Sequence, residues 1–217
     1  MFTYSYWSGY KKMAKPTTKL ESIEKTAIRL FASRGINQVT IKDIAGEARC
    51  SEGALYRHYT SKEEMALILY KNELEKFGTL LKSILQGGGT FSERIKSAVE
   101  FFYSFFDEDP IIFKFILLSE HHFPQKDKLN PKLNPHNLVF DLVRAGFKSG
   151  EFRIHDPELS ASILLGIVLQ PATLRATGRL RGKMSGKTNE VVEACLRALN
   201  SKVNLPPQGH KKEKIRG

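Results

Sequence analysis

Residues 40–62 constrain the fold of this chain more than any other stretch, because they predict two short helices, a tight turn between them and a third helix after them. Thr40 is placed to cap the first helix, with Asp43 as its partner in a capping box. Apolar residues then recur at i, i+3, i+4 and i+7 and give that helix one buried face: Ile41, Ile44, Ala45 and Ala48. The turn falls at Arg49 and Cys50, and Ser51 is placed to cap the second helix.

The second helix of this unit has two different sides. Leu55 and Tyr59 are four residues apart and point one way, whereas Tyr56 and Arg57 point the other way. A short helix with Leu on its hidden side and Tyr, Arg and His on its open side is typical of the recognition helix of a helix-turn-helix. The N-terminal residues of such a helix meet base edges in the major groove of DNA.

In order and spacing, this unit resembles the DNA-binding signature of the TetR family of transcriptional regulators. The resemblance covers residues 20–65 densely and rests on Thr40, Ile44-Ala45, Ser51-x-Gly53-Ala54-Leu55-Tyr56-x-His58-Tyr59 and Ser61-Lys62. Two positions depart from the family pattern. Arg49 stands where the family often has Gly, so it is expected to adopt a left-handed or bridge conformation. Cys50 stands where the family usually has Val.

The resemblance implies a DNA-binding surface. Phosphate contacts are implied for Thr40, Tyr56, His58 and Lys62, and base contacts for Lys42, Glu52, Ala54 and Arg57, while Ser51 and Gly53 complete the predicted set. The chemistry of these residues agrees, because Arg binds guanine bidentately and Gly lets the backbone approach DNA closely. The alternative is that Tyr56 and His58 only pack on neighbouring helices.

The net charge of +11 is concentrated at the two ends of the chain. Residues 1–64 hold 11 Lys and Arg against 7 Asp and Glu, and residues 201–217 hold 5 against 1. This distribution favours a polyanionic partner. No run of about 18 apolar residues appears, the N-terminus lacks the pattern of a signal peptide, and the two cysteines form neither a disulfide framework nor a metal spacing. A cytoplasmic protein without a membrane span is expected.

The rest of the chain predicts an all-α protein of about nine helices, with an N-terminal three-helix helix-turn-helix domain and a C-terminal helical domain for effector binding and dimerisation. The expected boundaries are a disordered or artefactual extension over 1–15, the DNA-binding domain over 16–62, the effector domain over 63–203 and a basic disordered tail over 204–217. A long helix from about Lys62 to Gln86 would join the domains, and Pro171 is expected to end or kink the eighth helix. GRLRGKMSGK follows as a basic, Gly-rich connection.

Aromatic residues between positions 101 and 147 could line a pocket for an apolar or aromatic effector, with Glu120, His121 or His122 as polar anchors. The predicted pocket residues are Phe101, Phe102, Phe105, Phe113, Leu117, Glu120, His121 and Phe140. The alternative is that the rings simply fill the core of a helical bundle. A dimer surface is predicted on the last two helices, at Leu164, Ile167, Val191, Val192, Cys195 and Leu199.

These features predict a dimeric repressor that binds a palindromic operator in double-stranded DNA and is released by a small apolar effector. One alternative is an effector-independent or nucleoid-associated DNA-binding protein. An alternative of another class is an enzyme with an unrecognised site in the helical domain. We expect no catalytic residues, no cofactor and no metal, because no nucleophile and base, no phosphate-binding glycine loop and no ligand set stand in a recognisable frame.

Overall fold

The computed structural model describes residues 18–119, 130–152 and 156–200. The expectations for residues 1–15, for the tail 204–217 and for Glu120, His121 and His122 lie outside these ranges. The described residues form an all-α protein with nine α-helices, as predicted. These are α1 (Lys19–Arg34), α2 (Ile41–Glu47), α3 (Glu52–Tyr56), α4 (Lys62–Leu85), α5 (Phe91–Glu108), α6 (Pro110–Ser119), α7 (Pro135–Ser149), α8 (Pro157–Ala176) and α9 (Thr188–Asn200).

Local capping defines the first helix of the N-terminal domain. Thr18 and Glu21 form a capping box at the start of α1, and Gly35, at φ 83°, ends it. The apolar face of α1 is buried at Ile23, Ala27, Leu30 and Phe31. α1 packs on α2 and α4, and α2 packs on α3, which gives the three-helix unit that the sequence predicts.

α4 runs from the DNA-binding unit into the C-terminal domain. The Ser61 hydroxyl accepts a hydrogen bond from the Glu64 N–H at 3.0 Å and caps the helix. The Glu64 carboxylate accepts hydrogen bonds from Thr60 and not from Ser61, so Ser61 and Glu64 form only half of a capping box. Because α4 contacts α1 as well as α5, α6 and α7, it belongs to the core of both domains.

A second junction between the domains lies where α1 packs along α6. The ring of Phe115 on α6 stacks on Phe31 of α1, with ring centroids 6.2 Å apart, and meets Tyr70 of α4 edge-on at 6.3 Å. The start of α6 is fixed by Asp109, whose buried carboxylate accepts a hydrogen bond from the Ile112 N–H at 3.1 Å, as its position before Pro110 predicts.

The irregular segment before α7 is held close against α4. A short 3₁₀ turn at Pro131–Leu133 packs on Gly78, where an added Cβ would fall 1.9 Å from the Leu133 carbonyl oxygen. α7 then begins at Pro135, because the Asn134 side chain accepts a hydrogen bond from the His136 N–H at 2.9 Å. Gly78 thus allows the polypeptide to approach α4 at this point.

α8 differs from the prediction in one respect, because Pro171 lies inside the helix, which continues to Ala176. Proline removes one intrahelical hydrogen bond, and packing of α7 and α9 on α8 holds the helix together across that gap. By length and apolarity alone α8 meets the criteria for a membrane-spanning helix, and little of it is buried within the subunit. Its outer side exposes Leu159 and Ile163, which are 57% and 45% accessible.

Candidate DNA-binding surface and effector cavity

The turn between α2 and α3 takes a left-handed residue at Arg49, whose φ is 52°. Arg49 has the only positive φ of any non-glycine residue in the described ranges, which confirms the conformation expected from its position. The ammonium group of Lys19 on α1 donates hydrogen bonds to the carbonyl oxygens of Ala48 at 2.8 Å and Arg49 at 3.0 Å. This charged group satisfies carbonyls at the end of α2 and fixes the turn against α1.

α3 is anchored on its inner side. The Leu55 side chain is fully buried, and the Tyr59 hydroxyl donates a hydrogen bond to the Glu24 carboxylate at 2.6 Å. Burial raises the pKa of Tyr59 well above its ordinary value, and the hydrogen bond to Glu24 raises it further. Ser51 holds the N-cap position of α3, but its side chain makes no capping hydrogen bond, so that detail of the prediction is wrong.

The outer side of α2, the turn and α3 carries the predicted DNA-binding residues. Thr40, Lys42, Ser51, Glu52, Gly53, Tyr56, Arg57 and His58 are exposed, and Ala54 and Lys62 are partly exposed. Tyr56 is 55% accessible, which makes it one of the most exposed large apolar side chains among the described residues. The fold therefore leaves the predicted set at least partly exposed on one helical unit, while Leu55 and Tyr59 are buried.

Two of the implied phosphate contacts have partners within the chain. The Thr40 hydroxyl donates a hydrogen bond to the Asp43 carboxylate at 2.6 Å, and this contact and one from the Thr40 N–H hold the pKa of Asp43 below its ordinary value. The Lys62 ammonium lies 3.4 Å from the Glu63 carboxylate. A phosphate contact from either side chain would replace or share these interactions.

The C-terminal domain holds an apolar cavity of about 170 Å³. Its walls come mainly from the inner faces of α4, α5, α6, α7 and α8, with Cys195 contributed by α9. The lining residues are Tyr70, Leu74, Phe77, Leu81, Leu85, Ile95, Ala98, Val99, Phe102, Phe105, Phe113, Ile116, Asn134, Pro135, His136, Val139, Leu142, Leu164, Leu165, Val168, Leu169 and Cys195.

Three of the predicted pocket residues, Phe102, Phe105 and Phe113, line this cavity. Phe101 packs on Phe77 at a ring-centroid distance of 5.1 Å and Phe140 packs at the edge of the core, so neither lines it. Leu117 belongs to α6, but its side chain is not among those described, and Glu120 and His121 lie outside the described residues. The sequence interpretation missed the walls from α4 and α8, although apolar stripes on both helices were visible in the sequence.

The few polar groups at the cavity are placed unevenly. Asn134 and His136 stand where α7 begins, and His136 is exposed at the rim. Cys195, by contrast, is buried, and burial raises the pKa of its thiol to about 11. Inside the cavity, a bound molecule would therefore meet mostly apolar walls, with polar partners at the rim near His136.

The predicted dimer residues are largely inside the subunit. Leu164, Val191, Val192, Cys195 and Leu199 are buried within the single chain, and Ile167 is partly buried. The predicted dimer surface is therefore wrong for the buried residues: α9, which carries Val191, Val192, Cys195 and Leu199, packs on α5 and α8 of its own chain. The outward stripe of α8 consists instead of Leu159, Ser162, Ile163, Gly166 and Gln170, and that of α9 includes Ala194 and Ala198.

The fold and these surfaces define a helix-turn-helix DNA-binding protein with a helical, cavity-containing C-terminal domain. Residues 23–68 match the model of the tetR family of bacterial regulatory proteins. The fatty acid metabolism regulator protein of Bacillus subtilis is 20% identical over 194 residues, which cover 88% of this chain and all of that protein. The nucleoid occlusion factor SlmA of Salmonella newport is 27% identical over 164 residues, covering 71% of this chain and 81% of that protein.

The fold is shared with solved structures. The transcriptional regulator FadR of Bacillus subtilis, crystallised in complex with stearoyl-CoA, superposes with a TM-score of 0.67 at 18% identity, over 83% of this chain and all of that chain. Together with the match to the family model, these similarities confirm the resemblance seen in residues 40–62. Residues 23–68 thus carry a DNA-binding region of the tetR type, and the chain is a DNA-binding regulator of transcription.

Proposed function

We propose that this protein is a cytoplasmic repressor that binds a palindromic operator as a homodimer and leaves it when a largely apolar small molecule enters the C-terminal cavity. The observation that carries the proposal is the position of α4. This helix starts directly after the recognition unit, at Lys62, and further along it lines the cavity with Leu74, Phe77 and Leu81. A change in the cavity walls therefore acts on the helix that carries the DNA-binding unit.

The proposed dimer uses the outward faces of α8 and α9. Leu159 and Ile163 are exposed although both are large and apolar, and Gly166, Ala194 and Ala198 are small enough for close helix approach. Two helices from each subunit would form a four-helix bundle and bury this surface. Two-fold symmetry then places two recognition helices to read an inverted repeat with half-sites about one helical turn or more apart.

The size of the cavity supports a mechanism for release. Ligand pockets typically have volumes of about 300–1,000 Å³, which is more than the cavity of about 170 Å³ seen here. A ligand of ordinary size must therefore displace the walls, including α4, and it binds best to a conformer in which they are already apart. Differential affinity for two conformers is what couples ligand binding to operator affinity.

The lining favours an effector with an apolar body and a polar end. Leu, Ile, Val and Phe side chains form most of the walls, and His136 lies exposed at the rim. One related Bacillus subtilis protein is named for fatty acid metabolism, and the Bacillus subtilis regulator FadR was crystallised with stearoyl-CoA, an acyl thioester. We therefore propose an acyl chain or a molecule of similar apolar shape, with its polar end at the rim.

Operator release by acyl-CoA thioesters of increasing chain length tests this proposal. We expect release to improve with chain length up to an optimum, and we expect Ile116→Trp, which fills the cavity, to bind operator but resist release. Phe147→Trp is the matched control, because Phe147 is 42% accessible and does not line the cavity. Normal operator release from Ile116→Trp would contradict the assignment of the cavity, and failure of all chain lengths would contradict the acyl class.

The division of the DNA-binding surface is tested by two variants. Arg57→Ala should relax base preference at one operator position, at a cost of about 1–3 kcal/mol. Lys62→Ala should weaken binding to all sequences similarly and reduce the salt slope by about one unit. Equal losses of both variants on specific and random DNA would contradict this division of roles.

A second candidate function follows from the similarity to a nucleoid occlusion factor, which covers most of that protein. In that case the chain would bind chromosomal sites without a small-molecule signal, and the cavity would be only a packing defect. Genome-wide mapping of bound sites separates the two functions. Many sites distributed along the chromosome would favour this candidate, whereas a few promoter sites would favour the ligand-released repressor.

A further inference from the structure

A second concavity lies at the junction of the two domains and is distinct from the apolar cavity. It has a volume of about 560 Å³ and is formed by α1, the corner between α5 and α6, and the C-terminal end of α8 with the loop that follows. On α6, Ile111 and Lys114 face this cleft, whereas Phe113 and Ile116 face the apolar cavity. The two sites therefore lie on different faces of the same helix.

Basic residues from three separate parts of the chain line the cleft. Arg29 comes from α1, Lys114 from α6, and Arg175 and Lys183 from the end of α8 and the basic loop after it. Among the described residues, Asp107 is the one acidic residue in its lining. Four cations around a concave surface produce a positive potential that low-dielectric walls strengthen, which is the condition for binding a small polyanion.

Asp107 does not neutralise this charge by pairing with a cation. Its carboxylate accepts hydrogen bonds from the Met184 N–H at 2.9 Å, the Ser185 N–H at 2.9 Å and the Ser185 hydroxyl at 2.7 Å. Its role is to hold the loop after Lys183 against α5. No ion pair joins Asp107 to a cation within the parts of the chain that the structure describes.

The same contacts fix the position of Lys183. Arg175 donates a hydrogen bond through Nε to the Gly182 carbonyl oxygen at 2.8 Å, directly before Lys183, and the bond from Met184 to Asp107 lies directly after it. The Met184 side chain is completely buried. The backbone of Lys183 is thus anchored on both sides, and the basic loop is shaped so that its cation lines the cleft.

Two of the four cations, Lys114 and Lys183, have no acidic partner among the described residues, whereas Arg29 already has one. Arg29 pairs with Glu47 of α2 at 2.5 Å and leaves the rest of its guanidinium for another acceptor. Neither Lys114 nor Lys183 forms an ion pair with any carboxylate in the described ranges. Phe106, Pro110, Ile111 and Ala176 add an apolar floor.

We propose that this cleft binds the phosphoryl groups of a small organic phosphate. Phosphoryl oxygens accept hydrogen bonds from several cations at once, and an apolar floor suits the organic part of such a molecule. A bound anion would join Arg29 of the DNA-binding domain to Lys114, Arg175 and Lys183 of the C-terminal domain. It would thereby hold the two domains in one relative orientation and change operator affinity from a site other than the apolar cavity.

Calorimetric titration of the full-length protein with inorganic pyrophosphate tests the site without requiring operator DNA or an effector. Saturable binding with one pyrophosphate per chain is expected. In the variant Lys114→Gln with Lys183→Gln the affinity should fall roughly tenfold or more, because two charge-assisted contacts are lost. The matched control, Lys71→Gln with Lys96→Gln, removes the same charge from exposed positions on α4 and α5 and should bind as the unaltered protein does.

The proposal would be overturned by no saturable binding, by undiminished binding in the cleft variant, or by an equal loss in the control. A loss of pyrophosphate binding in Lys62→Gln alone would place the anion on the DNA-binding surface instead, and would also overturn it. Operator affinity without pyrophosphate should be the same for the cleft variant and its control. A selective loss of operator affinity in the cleft variant would mean that the cleft serves DNA phosphates.

Discussion

At the scale of single residues, the helix-turn-helix depends on a turn in which Arg49 takes a left-handed conformation that glycine would adopt without strain. Arg49 adopts φ 52°, a conformation that costs a side chain roughly 1–2 kcal/mol. Its carbonyl and that of Ala48 are held by the ammonium group of Lys19. The strained backbone of Arg49 and the hydrogen bonds from Lys19 involve different side chains, so mutations can test them separately.

Replacement of Arg49 by Gly should therefore raise the free energy of unfolding by up to about 1 kcal/mol, because glycine adopts this conformation without strain. Thermal or urea unfolding measures the effect. The control is Arg34→Gly at the last position of α1, where the backbone is helical, so glycine relieves no strain and should not raise the free energy of unfolding. Equal destabilisation by the two substitutions would contradict the account of the turn.

The two cysteines differ in environment and should differ in reactivity. Cys50 is partly exposed, whereas Cys195 is buried beside the apolar cavity, where burial raises its pKa to about 11 from an ordinary value of 9.0. At pH 8 iodoacetamide should modify Cys50 and leave Cys195 unmodified until the protein is unfolded in urea, as mass spectrometry would show. Equal modification of both thiols in the folded protein would contradict the burial of Cys195.

The same pKa shift predicts the sign of a stability change at high pH. The folded state binds the thiol proton more tightly than the unfolded state, so the stabilisation is complete below about pH 9 and is lost as the pH rises towards 11. Cys195→Ala should remove this part of the pH dependence. Cys50→Ser is the control that should leave it unchanged.

At the scale of elements, the sequence was most informative where capping and periodicity agree. Thr40 with Asp43 begins α2 as predicted, and the same kind of local signal, Thr90 with Glu93 and Asp109 before Pro110, begins α5 and α6. It was least informative where long-range packing decides. Pro171 lies inside α8 because neighbouring helices support the interrupted hydrogen bonding, and no local signal in the sequence indicates that support.

The dimer surface shows a related limit. α8 is apolar on more than one side, so periodicity alone cannot tell which side faces its own subunit. The prediction chose Leu164, which is buried within the subunit, whereas Ile163 next to it is 45% accessible. Adjacent residues on a helix point about 100° apart, so an error of one position exchanges the inner and outer faces.

The substitution Ile163→Asp should dissociate the proposed dimer without unfolding the subunit, because it places a charge in the centre of an apolar interface. Sedimentation equilibrium would give the association constant and circular dichroism would report folding. Phe147→Asp on α7 is the matched control, since Phe147 is exposed to a similar degree, 42%, but lies outside the α8 stripe. An unchanged dimer in Ile163→Asp would rule out this face of α8.

At the scale of the whole molecule, the sequence predicted some of the aromatic residues that line the pocket but not the arrangement of helices that encloses it. Phe102, Phe105 and Phe113 line the cavity, but its remaining walls come from helices far apart in sequence. Which of many apolar residues face an unfilled volume depends on how five or more helices pack together. The DNA-binding unit could be predicted without knowing how distant helices pack, because nearly all of its residues lie in the continuous stretch 40–62.

The domains are connected in two ways, through the continuous helix α4 and through the packing of α1 on α6. Both connections lie beside a concavity: α4 lines the apolar cavity, and α1 and α6 line the basic cleft. If both proposed sites bind their ligands, two chemically different signals would act on the orientation of one DNA-binding unit. Regulation of this kind requires that the DNA-binding unit bind a specific DNA sequence.

Selection of bound duplexes from a random DNA pool by the full-length protein, followed by sequencing, tests that claim most directly. We predict enrichment of an inverted repeat whose half-sites lie about one helical turn or more apart, and loss of preference at one base pair of each half-site in Arg57→Ala. Retention of DNA without an enriched sequence, or an enriched motif without two-fold symmetry, would contradict the account of a dimeric, sequence-specific regulator.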